Sequence, residues 1–261
     1  MGLPIDIDID QVILLAKEAG KKILSIYNKG FDVYEKANKS PLTQADLLSH
    51  GIIIEGLARI TPDLPVLSEE SSNDEISNRL SWETYWLIDP LDGTKEFVKR
   101  NGEFTVNIAL VHNHEPIFGV VYAPVLEIAY WGGLNVGAHK IQDHKSNVIH
   151  IRKRPSDSTK WRIVGSRSHS SNEFKSFIQK YPDAEIISMG SSLKLCLVAE
   201  GVADLYPRLG PTSEWDTAAS QAVVEAAGGQ VLRIPEMTSL RYNENESTLL
   251  NPHFLVCGDP L

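Results

Sequence analysis

Two carboxylates three residues apart, Asp89 and Asp92, lie in the run Trp86-Leu87-Ile88-Asp89-Pro90-Leu91-Asp92-Gly93-Thr94-Lys95-Glu96-Phe97. Three apolar residues deliver a buried strand to Asp89. Pro90, lacking an N–H, is expected to break the ladder there, and Asp92 can then turn back toward the same point. Gly93-Thr94 permits a tight bend and opens a helix, whose free N–H groups and dipole attract an anion. Two carboxylates beside an anion site make electrostatic sense when cations sit between them. Mg²⁺ fits, because it takes oxygen ligands and is shared between carboxylates and a substrate phosphate. Taken alone, the stretch is read equally well as a strand end at Asp89 and a helix cap at Asp92.

Further acids favour the metal reading. Leu67-Ser68-Glu69-Glu70-Ser71 follows an apolar segment, so two acids again stand at the end of an element; a solvated acidic turn is the alternative. Glu214-Trp215-Asp216-Thr217-Ala218-Ala219 puts Asp216 at a helix start, where a plain N-cap is the alternative. Carboxylates gathered from distant segments are what a two-metal phosphoryl-transfer site requires.

With these three motifs in this order over residues 46–229, the sequence resembles the inositol monophosphatase superfamily of metal-dependent, lithium-inhibited phosphatases. Lys95-Glu96-Phe97, Gly190-Ser191-Ser192-Leu193-Lys194 and Ala203-Asp204-Leu205-Tyr206-Pro207-Arg208 resemble most its branch of 3'(2'),5'-bisphosphate nucleotidases. The resemblance implies a layered αβαβα sandwich of the inositol monophosphatase/fructose bisphosphatase type. It implies one Mg²⁺ on Glu69, Asp89 and the Leu91 carbonyl, and a second on Asp89, Asp92 and Asp216. A third, weaker ion is implied near Glu69 and Glu70. Asp46 would accept the Thr94 hydroxyl proton, leaving the Thr94 oxygen to take a proton from the attacking water. Glu70 completes the catalytic set. Gly93 and Thr94, with Glu69, Leu91, Asp92 and Asp216, would surround the phosphate being cleaved.

The substrate so implied is an adenosine 3',5'-bisphosphate or its phosphosulfate form, a small nucleotide with two anionic groups. The metals balance only one of them. Ser168, His169, Gly190, Ser191, Ser192, Lys194 and Arg208 are the candidates for the nucleotide and its second phosphate. Lys194 is alternatively a solvated helix residue, Arg208 the partner of a structural acid, and His169 a surface residue. Competing functions are an inositol monophosphatase or sugar bisphosphatase with the same metal site, and, more distantly, a non-catalytic Mg²⁺ or nucleotide sensor.

Composition narrows the setting. The 261 residues carry 34 acids against 25 bases, a net charge of −9, which excludes a protein built to coat nucleic acid or anionic lipid. The charge is uneven: positions 63–92 hold eight acids and one base, and positions 139–169 hold eight bases and two acids. Cys196 and Cys257 sit in apolar runs and form no disulfide framework, which points to a reducing compartment, the cytoplasm. No apolar run is long enough for a transmembrane segment. The resemblance adds peripheral association with the cytoplasmic face of the inner membrane, and a monomer or homodimer.

The elements that must position these residues change in kind along the chain. An amphipathic helix over about 12–26, stopped at Gly30, and a second over 45–60, ended by Thr61-Pro62, come first. Strands then follow at 85–88, 104–110, 117–122, 127–131 and 148–152, joined by short connections that imply an antiparallel meander. After Pro155 strands and helices alternate: strands at 162–164, 185–188, 203–206, 230–232 and 254–257, and helices at 171–179, 192–200 and 217–227. The expected division is an α+β part, 1–155, whose antiparallel sheet carries most metal ligands, and an α/β part, 156–261, carrying Asp216 and the nucleotide contacts.

Overall fold

A computed structural model describes residues 3–29, 33–35, 41–155, 160–166 and 171–258. Helix α1 (Ile9–Tyr27) starts where the Asp8 side chain accepts the Gln11 N–H at 3.1 Å, and it buries Val12, Leu15, Ala16, Ala19 and Ile23 along one face. Strands β1 (Val33–Glu35) and β2 (Pro41–Thr43) form a small antiparallel pair ahead of α2 (Gln44–Ile60). Strands β3 (Val66–Ser68), β4 (Thr84–Asp92), β5 (Thr105–His112), β6 (Glu115–Ala123), β7 (Ile128–Gly133), β8 (Gly137–Gln142) and β9 (Lys145–Val148) then make one sheet in chain order. A short helix α3 (Asn73–Ile76) lies between β3 and β4, and α4 (Thr94–Lys99) follows β4. All neighbours in this sheet are antiparallel except β3 and β4, which are parallel.

The second sheet has the order β11-β10-β12-β14-β13, from β10 (Arg162–Ser166), β11 (Glu185–Met189), β12 (Leu205–Arg208), β13 (Gln230–Arg233) and β14 (Phe254–Cys257). Helices α5 (Asn172–Ile178), α6 (Leu193–Ala199) and α7 (Ala218–Ala226) connect its strands. The two sheets divide between β9 and β10, around Pro155.

Burial assigns the layers. Trp86, Ile88, Val106, Ile108 and Leu110 pack with α1 and α2 on one face of the first sheet. Tyr85, Leu87, Ala109 and Val111 point the other way, into a cluster with α6, α7 and the inner residues Val164, Tyr206, Phe254 and Val256 of the second sheet. The outer residues of that sheet, Ile163, Leu205, Leu255 and Cys257, pack against Phe174, Phe177 and Ile178 of α5. The order is helices, sheet, helices, sheet, helix: the αβαβα sandwich. The central layer is close-packed. A Cβ built on Gly119 of β6 would come within 2.1 Å of the Ala219 carbonyl oxygen, so only glycine lets α7 lie this near the sheet.

Two expectations need correction. Pro90 does not end its strand: β4 continues to Asp92 through a register shift between Asp89 and Asp92, which a residue without an N–H tolerates at a bulge. No strand covers 148–152. Its place is taken by the hairpin β8–β9, turned at Asp143 and His144, both at positive φ (50° and 60°). The polar residues of β8 and β9 carry no apolar alternation from which they could be read. Strand β3, which the sequence reading did not place, joins the sheet parallel to β4, beside the antiparallel meander.

Candidate active site

The bulge in β4 decides where the two acids of the first motif point. Residues directly opposite in an antiparallel pair share a face. Asp89 stands opposite Asn107 and Asp92 opposite Thr105, and Thr105 and Asn107, two apart on β5, share one face. Asp89 and Asp92 therefore both face the α6/α7 layer, although three residues apart. In an unshifted strand they would point to opposite faces. Leu91 is turned the other way, into the α1/α2 cluster, with no exposed surface. The Pro90 carbonyl accepts the buried Ser49 hydroxyl of α2 at 2.8 Å, and the Leu91 N–H donates to Asp89 Oδ1 at 3.0 Å.

Asp216 arrives from the second half of the chain, at the end of a 3-10 turn (Glu214–Asp216) before α7, where its Oδ2 accepts the Ser213 N–H at 3.0 Å. It thus serves as a cap and also reaches the β4 acids. Asp89, Asp92 and Asp216 each offer a carboxylate oxygen, and these lie within 4.8 Å of one another. Asp46, in the first turn of α2, is buried beside them, and Glu69, whose N–H donates to the Ile88 carbonyl at 3.2 Å, adds a further negative charge.

Electrostatics shows what such a cluster needs. Burial holds the Asp89 carboxyl well above the usual carboxylate range, and the charges of Glu69, Asp92, Asp216 and Asp46 push it the same way. Asp216 is raised to about 8, chiefly by burial and then by Asp92, with the Arg208 charge opposing. Glu214 is raised to about 7 by burial. Acids that resist ionisation in one buried place are stabilised as anions by a cation among them. Every donor is an oxygen, which suits a hard divalent ion such as Mg²⁺.

Asp92, Gly93 and Asp216 also line a cavity of about 140 Å³ with Ser191, Ser192, Lys194 and Arg208. Gly93 opens α4 at φ 88°, a left-handed conformation natural to glycine. The Thr94 hydroxyl lies 3.5 Å from the Leu91 carbonyl. Lys194 is no solvated helix residue: only 8% exposed, its Nζ donates to the Ser191 carbonyl at 2.5 Å and lies 5.7 Å from the centre of the Tyr206 ring. Arg208 donates to the Pro211 carbonyl, while its buried Nε has no hydrogen-bond partner among the described residues.

Ser168 and His169 lie outside the described residues. The Glu70 N–H donates to the Ser68 hydroxyl at 3.2 Å, and the Gly190 N–H donates to Glu103 Oε2 at 2.8 Å. Several bases of the positive segment are engaged elsewhere: Lys140 with Glu200 at 2.6 Å, Arg152 with Asp204 at 3.5 Å, and Arg162 with the Gly201 carbonyl at 2.9 Å. Sequence reasoning missed Thr105 and Asn107, both buried at the site. Polar residues on the inward positions of an otherwise apolar strand were the available signal.

The sequence profile of the inositol monophosphatase family matches residues 8–257. The chain belongs to the inositol monophosphatase family. Within this family, it is 49% identical to the 3'(2'),5'-bisphosphate nucleotidase CysQ of Escherichia coli (strain K12) over 251 residues, covering 95% of this chain and 98% of that protein. The namesake from Haemophilus influenzae is 37% identical, with 96% and 93% covered. The crystal structure of CysQ from Bacteroides thetaiotaomicron, described as a bacterial member of the inositol monophosphatase family, superposes with a TM-score of 0.82 at 43% identity, over 97% of each chain. Among the described residues of this family member, no helix is long and apolar enough to cross a membrane.

Proposed function

We propose that the chain is a Mg²⁺-dependent phosphatase that hydrolyses the 3'-phosphate of adenosine 3',5'-bisphosphate to AMP and phosphate, and acts likewise on 3'-phosphoadenosine 5'-phosphosulfate. This would place it in sulfate assimilation and nucleotide recycling. The observation that carries the reading is the 49% identity to the E. coli nucleotidase across nearly both chains, joined to a carboxylate cluster at the motif positions. Cys196 and Cys257, both buried in the core, support a cytoplasmic setting.

Glu69, Asp89 and the Leu91 carbonyl would hold one Mg²⁺, Asp89, Asp92 and Asp216 a second, and Glu69 with Glu70 a third. When bound, such ions neutralise the acids, accept the oxygens of the scissile phosphate and lower the pKa of water. The protein's own groups do the rest. The N–H groups of Gly93 and Thr94 orient phosphate oxygens, and the Thr94 hydroxyl, its proton accepted by Asp46, takes a proton from the attacking water. Lys194 and Arg208, lining the same cavity as Asp92 and Asp216, provide cationic donors for the phosphate that is not cleaved.

A substrate panel tests this reading. With Mg²⁺ present, kcat/KM for phosphate release from adenosine 3',5'-bisphosphate is expected to exceed that for inositol 1-phosphate by more than about tenfold. The reverse order would make the chain an inositol monophosphatase with the same metal site.

A further inference from the structure

We propose that Asn107 is a positioning residue for the carboxylate cluster: acting through the Ser192 hydroxyl, it commits one oxygen of Asp92 to the protein and leaves the other for a cation. The inference rests on the metal-dependent reading above and assigns Ser191 and Ser192 to holding Asp92, a different task from touching the substrate.

The bonds to Asp92 converge on a single atom. Its Oδ2 accepts the Ser192 N–H at 2.6 Å, the Ser191 hydroxyl at 2.5 Å and the Ser192 hydroxyl at 2.7 Å, with the Thr105 hydroxyl at 3.5 Å. None of these four contacts ends on Oδ1. An oxygen so loaded has no lone pair to spare for an ion, so Oδ1 is the atom Asp92 can offer.

Asn107 sets the direction of this network. It is 1% exposed, stands opposite Asp89 in the sheet, and its Nδ2 donates to Ser192 Oγ at 2.7 Å. Its Oδ1 lies 3.0 Å from the Thr105 hydroxyl, so both ends of the amide are engaged. With a Ser192 lone pair occupied by Asn107, the single Ser192 proton is directed at Asp92 Oδ2 or at the Asp216 carbonyl, also 2.7 Å away. Both acceptors belong to residues of the carboxylate cluster.

The backbone is held against its own preference to make this possible. Ser191 has φ 53°, a left-handed conformation that costs a non-glycine residue about 1–2 kcal/mol. Its hydroxyl is pinned between Asp92 Oδ2 and Thr105 Oγ1, each at 2.5 Å, and the preceding Gly190 N–H is tied to Glu103. Strain kept at such a point persists where surrounding contacts over-determine it.

Metal-free parent, Asn107→Ala and Ser192→Ala proteins are titrated calorimetrically with Mg²⁺ alone, and KM for adenosine 3',5'-bisphosphate is then measured at saturating Mg²⁺. The expected result is a rise of about 10–100-fold in the Mg²⁺ dissociation constant, with KM moved by less than about threefold. Mg²⁺ affinity within about twofold of the parent, with or without a raised KM, would overturn the proposal. If either variant fails to fold, Ser191→Gly removes one donor to Asp92 at a position glycine adopts freely. There a rise in the dissociation constant of several-fold is expected, and an unchanged constant counts against the proposal. A parent protein that binds no Mg²⁺ overturns the metal reading itself, which is a distinguishable failure.

Discussion

Asp89 on β4 and Asp216 before α7 bring carboxylate oxygens within 4.8 Å of each other from the two halves of the chain. Burial is the first cause of the raised pKa of each, and each also suffers the charge of Asp92. The folded protein thus holds, at one place, acids that the unfolded chain ionises freely.

That relationship sets a pH dependence. Asp216, near 3.8 when unperturbed and about 8 in the fold, favours the folded state fully only below the lower value, so the stability it lends is lost as pH rises from about 4 to about 8. Asp89 acts in the same direction. Mg²⁺ bound among the acids would remove this penalty. Thermal unfolding is expected to show a metal-free Tm that falls between pH 5 and pH 8, and a Mg²⁺-induced gain in Tm that is larger at pH 8. An equal gain at both values would contradict the cluster as the ion's seat.

Lys194 provides a test of the second phosphate. Its amine lines the same cavity as Asp92 and Asp216 and is almost fully buried. Losing one charge-assisted hydrogen bond costs about 1.5–3 kcal/mol, so Lys194→Ala is expected to raise KM for adenosine 3',5'-bisphosphate about 10–100-fold. KM for adenosine 3'-monophosphate should change far less. Equal changes for the two substrates would remove Lys194 from that role.

The central layer depends on one close approach. Gly119→Ala places a methyl group against the Ala219 backbone, and backbone cannot rotate away. A loss of about 1–3 kcal/mol is expected in denaturant unfolding. A variant as stable as the parent would mean that α7 is not seated on β6 as described.

Much of this organisation is legible in the residues. The α1 stripe at Val12, Leu15, Ala16, Ala19 and Ile23 gives its helix, and the alternation from Phe104 to Leu110 gives β5, because both follow the period of one buried face. The carboxylate cluster is legible at Asp89, Asp92 and Asp216 through motif order. The face each acid takes is not, since it depends on a bulge that Pro90 tolerates but does not announce. Lys194 is legible as a candidate for the second phosphate, but its burial is not, because Tyr206, on which its amine lies, is brought there only by tertiary packing. Asn107 escaped notice for the same reason: its partner Ser192 is remote in sequence. The basic segment shows the converse, since Lys140 and Arg152 meet Glu200 and Asp204 only in the fold.

The most direct measurement is phosphate release from adenosine 3',5'-bisphosphate by the parent and by Asp89→Asn, each with Mg²⁺ and with chelator. The expected result is turnover by the parent only with Mg²⁺, and a loss of more than about 100-fold in Asp89→Asn at an undiminished Tm. Turnover in chelator, or an Asp89→Asn protein that retains most of the activity, would contradict a metal-dependent site built on this acid.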